Sequence, residues 1–273
     1  MKTLAKLTWV EVKLFAREPI AMVFAFAFPL VVLLVLAGVF GTEPDLNFGG
    51  VAGIDYYVPG YLAVVIASVG LIGLPVHLAS LRERGVLRRL RASSVPMTSV
   101  LAAQTAVHVA MAALGGVVLL AAASLVYDLH APSSVAGVAL GFAVGALSFV
   151  ALGLLLGSLA ATARAAQAIG LVLFFPMWLL SGAGPPRGMM TQTMRQLSDV
   201  LPLTRVVTAI QEPWLGTGSN LSELVVLSVL FAAAMALTAS ANTQGAGGRH
   251  AAAPAGLRLT SEGSNARMRG ARP

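Results

Sequence analysis

Long apolar runs separated by short charged segments set the pattern of this chain. Six of them lie in the range of roughly 17–25 residues that a helix needs to cross a bilayer core, or exceed it: residues 20–40, 57–81, 100–126, 135–161, 165–182 and 221–239. These runs are nearly free of charge, so they predict six transmembrane helices and an all-α polytopic membrane protein over residues 1–240. The first run is too long for the apolar region of a signal peptide, which is about 7–15 residues, and Glu11 and Glu18 stand where a basic leader would be. It reads as a retained span.

The segments between the runs have patterns of their own. Over residues 1–18, Lys2, Lys6, Lys13 and Arg17 share one helical face and Leu4, Leu7, Val10, Leu14 and Phe15 the opposite one. That spacing predicts an interfacial helix with its basic face on anionic lipid. Glu11 falls on the apolar side and needs a partner. Residues 81–96 read LRERGVLRRLRASSVP. Gly85 should end the helix continuing from the second span, and Val86, Leu87 and Leu90 then interrupt the arginines. Charge alone would suffice for a topogenic loop; interleaved apolar residues point to a short helix docked on another protein. Residues 183–220 are long for a connector and apolar between their prolines, which predicts short helices dipping into the membrane or capping a cavity. The fourth run carries Gly137, Gly141, Gly145, Gly153 and Gly157, a ladder of small residues suited to close helix packing within the molecule. The tail over residues 241–273 is Ala/Gly/Ser/Arg-rich and basic, and reads as disordered chain.

Composition agrees with the membrane reading and excludes several alternatives. Charged residues make up 11% of the 273 and mean hydropathy is +0.84, whereas an ordinary soluble domain is about 25% charged. A pI near 10.6 would suggest nucleic acid in a soluble protein. Here it follows from topology, and no nucleic-acid partner is expected. With the N-terminus cytoplasmic, all of the 18 Lys and Arg residues except Arg187, Arg195 and Arg205 fall on the cytoplasmic side, as the positive-inside rule requires. Both termini are then cytoplasmic, in a multi-pass protein of the cytoplasmic membrane. There is no cysteine, and the four histidines include no close metal-ligand pair, so no metal site is expected. No phosphate-binding GxxxxGK[ST] loop, HExxH or GxSxG motif occurs, so the chain is expected to be no enzyme and to hold no cofactor. His77 and His108 are the only titratable candidates within the spans, both nearer the cytoplasmic ends, and each reads as a hydrogen-bonded packing residue rather than a proton relay. Energy for any transport should enter from another chain.

Four segments resemble the membrane subunit of an ABC-2 type ATP-binding-cassette transporter of the daunorubicin-resistance and antibiotic-export kind. They are TWVEVKLFAREP at residues 8–19, YYVPGYLA at 56–63, RERGVLRRLRASSVP at 82–96 and LPLTRVV at 201–207. The third is the most specific, similar to the family signature through Arg82, Glu83, Gly85, Arg89, Leu90 and Pro96, with Val86 where threonine is usual. The resemblance implies six spans and a separate ATPase subunit. It implies a second permease copy, identical or different, and an elbow helix that here would include Lys6, Glu11, Lys13 and Arg17. It implies that Glu83, Arg84, Gly85, Leu87, Arg88, Arg89 and Leu90 touch the ATPase, and that the direction is export. The few charges in the spans favour a hydrophobic or amphipathic substrate such as a drug, an antibiotic or a lipid-like molecule. An ion-coupled secondary transporter and a non-transporting membrane scaffold are the alternatives.

Overall fold

The computed structural model describes residues 22–41, 43–86, 89, 97–127 and 129–247. Six described helices are long and apolar enough to cross a membrane: α1 (Val23–Phe40), α2 (Gly53–Glu83), α3 (Met97–Val126), α4 (Val135–Leu159), α5 (Ala163–Leu180) and α8 (Leu221–Gly247). Two shorter helices, α6 (Gln192–Val200) and α7 (Pro202–Leu215), stand between α5 and α8. A small antiparallel ladder, β1 (Pro44–Asp45) with β2 (Val51–Ala52), turns the chain between α1 and α2. The spans fall where the apolar runs predict them. The differences are at the ends: α2 begins at Gly53 rather than 57, and α8 continues to Gly247, past residue 239. Residues 248–273 of the tail lie outside the described residues.

Helix α2 is the axis of the bundle. Its apolar window is 100% buried, whereas the other spans bury 17–50% of theirs, so α2 is enclosed by protein and the others must also face lipid. The outward stripes are apolar, with Val31 and Val35 on α1, Val117 on α3, Val172 on α5 and Val225 and Val229 on α8 all exposed. From Tyr56 to Leu81 α2 carries no Asp, Glu, Lys or Arg on any side, as a central position requires. Both α1 and α2 carry a π-helical turn, at Val23–Ala27 and Val69–Gly73, placed two residues before Pro29 and Pro75. Within such a turn an N–H reaches five residues back, as Leu74 does to Val69. Proline supplies no N–H and its ring crowds the carbonyl four residues earlier; a widened turn just ahead of it relieves both.

The glycine ladder of α4 is an intramolecular packing face divided between two partners. Its lower half meets α2: a Cβ on Gly153 would stand 2.2 Å from the Gly70 carbonyl oxygen, and one on Gly157 would press on Leu78 and Pro75. The upper half meets α7, with Gly137, Gly141 and Gly145 against Pro213, Ala209 and Val206 in that order. Helix α7 therefore runs antiparallel to α4 with its N-terminus deepest. Together α6 and α7 form a re-entrant hairpin whose tip lies near Leu201 and Pro202. It reaches at least the level of Gly145, roughly 15 Å along α4 at 1.5 Å per residue. Pro202 opens α7 at a position where its missing N–H costs nothing. The buried hydroxyls of Ser198 and Thr204, 3.2 Å apart, hold the two arms together. The sequence predicts short helices over residues 183–220, dipping into the membrane or capping a cavity, and α6 and α7 are two such short helices, packed over the upper half of α4. It sits at the end of the bundle with the α1–α2 and α3–α4 connections, the capped end; the α2–α3 and α4–α5 connections form the opposite, basic end.

Candidate functional site

At the basic end, α2 stops at Glu83, Arg84 turns, and Gly85 takes φ +69°. A left-handed backbone there is natural for glycine and strained for a residue with a side chain, so the helix ends where the sequence predicts. Helical geometry resumes at Val86, and the Arg89 N–H bonds the Gly85 carbonyl at 3.2 Å. Arg84 and Arg89 are exposed. Half-buried Val86 packs against the cluster of Leu74, Leu78, Leu81 and Val100. Leu87, Arg88 and Leu90, and the elbow residues Lys6, Glu11, Lys13 and Arg17, lie outside the described residues.

Arg82 and Glu83 make a connection across nearly 80 residues of chain. The Arg82 guanidinium donates to the carbonyls of Ala160 at 2.8 Å and Ser158 at 3.1 Å, at the C-terminal end of α4. The Glu83 carboxylate accepts the N–H of Ala163, the first residue of α5, at 3.2 Å. A cation thus meets a helix C-terminus and an anion a helix N-terminus, each matching the helix dipole and satisfying backbone groups the helices leave open. The Thr162 hydroxyl completes the turn by accepting the Ala165 N–H at 3.1 Å. Two neighbouring side chains therefore tie the α4–α5 turn to the end of the buried axis.

Above this tie, α1 and α5 share an aromatic wall. Phe24, Phe28, Phe174, Phe175 and Trp178 meet with ring centroids 5.4–6.2 Å apart, mostly edge to face, the arrangement that ring quadrupoles favour. The Trp178 indole N–H donates to the Tyr61 hydroxyl of α2 at 3.3 Å. Phe174 is fully buried and Phe175 is 38% exposed, so the wall runs from the core to the surface. The runs FAFAF at residues 24–28 and FFPMW at residues 174–178 were its sequence signals.

The capped end is polar and tightly connected. His130 binds Asp55 through its backbone N–H at 3.3 Å and its Nδ1 at 2.8 Å. The Tyr56 hydroxyl accepts the Arg187 N–H at 3.3 Å, and Gln211 donates to the Tyr56 carbonyl at 3.0 Å. Arg187 pairs with Asp199. Arg205 donates to the Asp199 carbonyl at 2.6 Å and to both oxygens of Glu223 at 3.1 and 3.3 Å, joining the hairpin tip to the first turn of α8. Removing Arg205 would leave the Glu223 carboxylate, 11% exposed, without its cation. Arg205→Met should destabilise the protein by about 1–3 kcal/mol, and adding Glu223→Gln should restore part of the loss, read as a double-mutant cycle of thermal midpoints in detergent.

Glu212 on α7 is the perturbed acid of this end. Its Oε2 is buried and has no hydrogen-bond partner among the described residues. Burial first, and the nearby Glu223 charge second, hold its carboxyl above the ordinary range. The native state therefore favours the protonated form. In acid the group is protonated both folded and unfolded and imposes no cost; the cost builds as pH rises from the ordinary unfolded value and is complete above the raised folded one. Glu212→Gln should raise the thermal midpoint at neutral pH and leave it unchanged in acid. The gain should stay below about 1 kcal/mol because the side chain is partly solvated.

His77 and His108 face each other between α2 and α3, both buried, with ring centroids 5.8 Å apart. His108 Nδ1 donates to the Gln104 carbonyl at 2.8 Å, which sets its tautomer and marks it as a hydrogen-bonded packing residue. Among the described residues no group of three or more His, Cys, Asp or Glu could hold a metal ion.

No curated protein matches the chain. Residues 3–213 match the family described as ABC-2 type transporter, a stretch running from the N-terminal segment through five spans and into the re-entrant hairpin. With that match covering most of its length and six membrane-spanning helices behind it, the chain belongs to the ABC-2 type transporter family as a multi-pass membrane permease.

Proposed function

We propose that this permease is the membrane half of an ATP-driven exporter in the cytoplasmic membrane, with both termini in the cytoplasm. Family membership implies an ATP-binding partner subunit; the reading goes further. A separate ATPase docks on residues 83–90 and the N-terminal elbow helix, and two permease copies form the pathway. The cargo is hydrophobic or amphipathic, of the kind found among drugs, antibiotics and lipid-like molecules. ATP binding draws the ATPase subunits together and pushes on the segment after α2. That push must reach spans that face the cargo.

The observation that carries this reading is the tie from Arg82 and Glu83 to the α4–α5 turn. Helix α2 is packed on all sides, and interiors packed to crystal density transmit displacement rather than absorb it. A force on Glu83–Arg89 therefore moves α2 and the cytoplasmic ends of α4 and α5 as one unit. Helix α5 carries half of the aromatic wall, so the movement arrives at Phe174, Phe175 and Trp178. Aromatic faces suit apolar cargo that carries a polar end.

Co-purification tests the reading. The tagged permease is expressed with the ATP-binding-cassette subunits of its own genome and solubilised in mild detergent, beside a variant with Arg84, Arg88 and Arg89 changed to Ala. An ATPase bound to the wild type and lost from the variant is the expected result. A folded permease that retains no ATPase sinks the proposal and favours the scaffold or the ion-coupled transporter.

A further inference from the structure

A groove of about 350 Å³ lies between the hairpin tip and α8, lined by Asp199, Val200, Pro202, Arg205, Val226, Leu227 and Leu230. We infer that it holds one acyl chain of a zwitterionic phospholipid, with the phosphate on Arg205 and the ammonium on Asp199. The inference rests on the membrane placement of the chain and not on ATP-driven transport.

Depth is the first argument. The Ser148 hydroxyl donates to the Leu227 carbonyl at 2.8 Å, so Glu223, one turn earlier on α8, is level with about Val144 of α4. The opposite polar layer, the Arg82 tie, is at Ala160. The two layers are separated by roughly 24 Å of helix at 1.5 Å per residue. That is close to the hydrocarbon thickness of about 30 Å. Arg205 and Asp199 therefore lie at a membrane boundary, and Val226, Leu227 and Leu230 lie just inside it.

Exposure is the second. Val200 is 81% and Val226 45% exposed, and Val225 and Val229 beside the groove are 60% and 64% exposed. The groove opens sideways onto a surface that must face lipid, and its walls are aliphatic below a polar mouth. Its volume is at the lower end of small-molecule sites, enough for one chain and not for a folded segment.

Charge selects the headgroup. Arg205 is already balanced by Glu223, and Asp199 by Arg187, yet their side chains keep 34% and 52% exposure. One cation and one anion stand side by side at a mouth that is neutral overall. A headgroup with one phosphate and one ammonium matches both. An anionic headgroup would add one uncompensated charge to a mouth where Arg187 and Arg205 already balance Asp199 and Glu223.

The test is lipid retention by the full chain without any ATPase, so its failure is distinct from failure of the exporter reading. The purified protein is equilibrated with equal amounts of phosphatidylethanolamine and phosphatidylglycerol, passed through detergent exchange, and weighed by native mass spectrometry. One phosphatidylethanolamine retained per chain, in preference to phosphatidylglycerol, is expected. Leu230→Trp should lower retention about tenfold by filling the groove, a change equivalent to a tenfold shift in binding constant. Val226→Trp adds its bulk from an exposed position and keeps the test open should Leu230→Trp fail to fold. Ile169→Trp, on the exposed face of α5, is the control that should retain lipid normally. Retention of phosphatidylglycerol at an equal or higher level, no retained lipid, or undiminished retention by folded Val226→Trp would each overturn the assignment.

Discussion

Gly153→Leu should abolish the folded permease, whereas Ala139→Leu on the same helix should leave it intact. The reason is the distance between backbones. A Cβ at Gly153 would stand 2.2 Å from the Gly70 carbonyl oxygen, and one at Gly70 2.6 Å from the Phe149 carbonyl oxygen. The obstacle is backbone on both sides, so no rotamer change makes room. Overpacking a close-packed interior costs about 1–3 kcal/mol for small additions. Four carbons inserted between the axis and α4 should exceed the whole margin of about 5–15 kcal/mol or come near it. Gly153→Ala should give an intermediate loss. Ala139 is exposed on α4, where a leucine meets no neighbouring backbone. The readout is yield and monodispersity of detergent-solubilised protein. A Gly153→Leu variant that elutes as wild type would show that α2 and α4 are not in backbone contact.

Arg82→Ala should uncouple transport from ATP hydrolysis. The substitution removes two hydrogen bonds to the last carbonyls of α4. The site is exposed, so the stability lost should be only about 1 kcal/mol. The mechanical loss is larger, because the polar link left between α2 and the α4–α5 turn is then the Glu83 contact at 3.2 Å, beside the apolar packing of Val76 and Ala79 on Ala160 and Ala166. Transport by the assembled complex should fall about tenfold or more, equivalent to about 1.4 kcal/mol or more on the barrier, while ATP hydrolysis continues. Arg82→Lys should recover only part of it: an ammonium is a point charge, and the planar guanidinium reaches both carbonyls at once. Transport and hydrolysis that decline together would mean a lost ATPase contact instead, and unchanged transport would remove the tie from the mechanism.

The candidate site was legible in the sequence only at its surface. The Gly85 backbone ends α2 where the sequence predicts a helix stop. The local motif says nothing about Ala160 or Ala163, because those partners are backbone groups that any residue type would present. The aromatic wall and the Arg205–Glu223 pair escaped for a related reason. Their members come from different spans, and the 3.6-residue period of one helix carries no information about which neighbour it meets.

By itself the sequence determined the number of spans, their limits to within a few residues, the small-residue face of α4 and the helical character of residues 183–220. Those properties follow from transfer of backbone and side chains into hydrocarbon, a local quantity that sums along the chain. Only the tertiary structure decided that α2 is the axis, that the glycine ladder divides between α2 and α7, and that Arg82 and Glu83 serve α4 and α5. All six spans are apolar, so lipid and protein are nearly equivalent surroundings for their side chains. Close fit then decides which helix is enclosed: Gly70, Gly153 and Gly170 let backbones touch around α2, and that fit exists only once the helices are brought together.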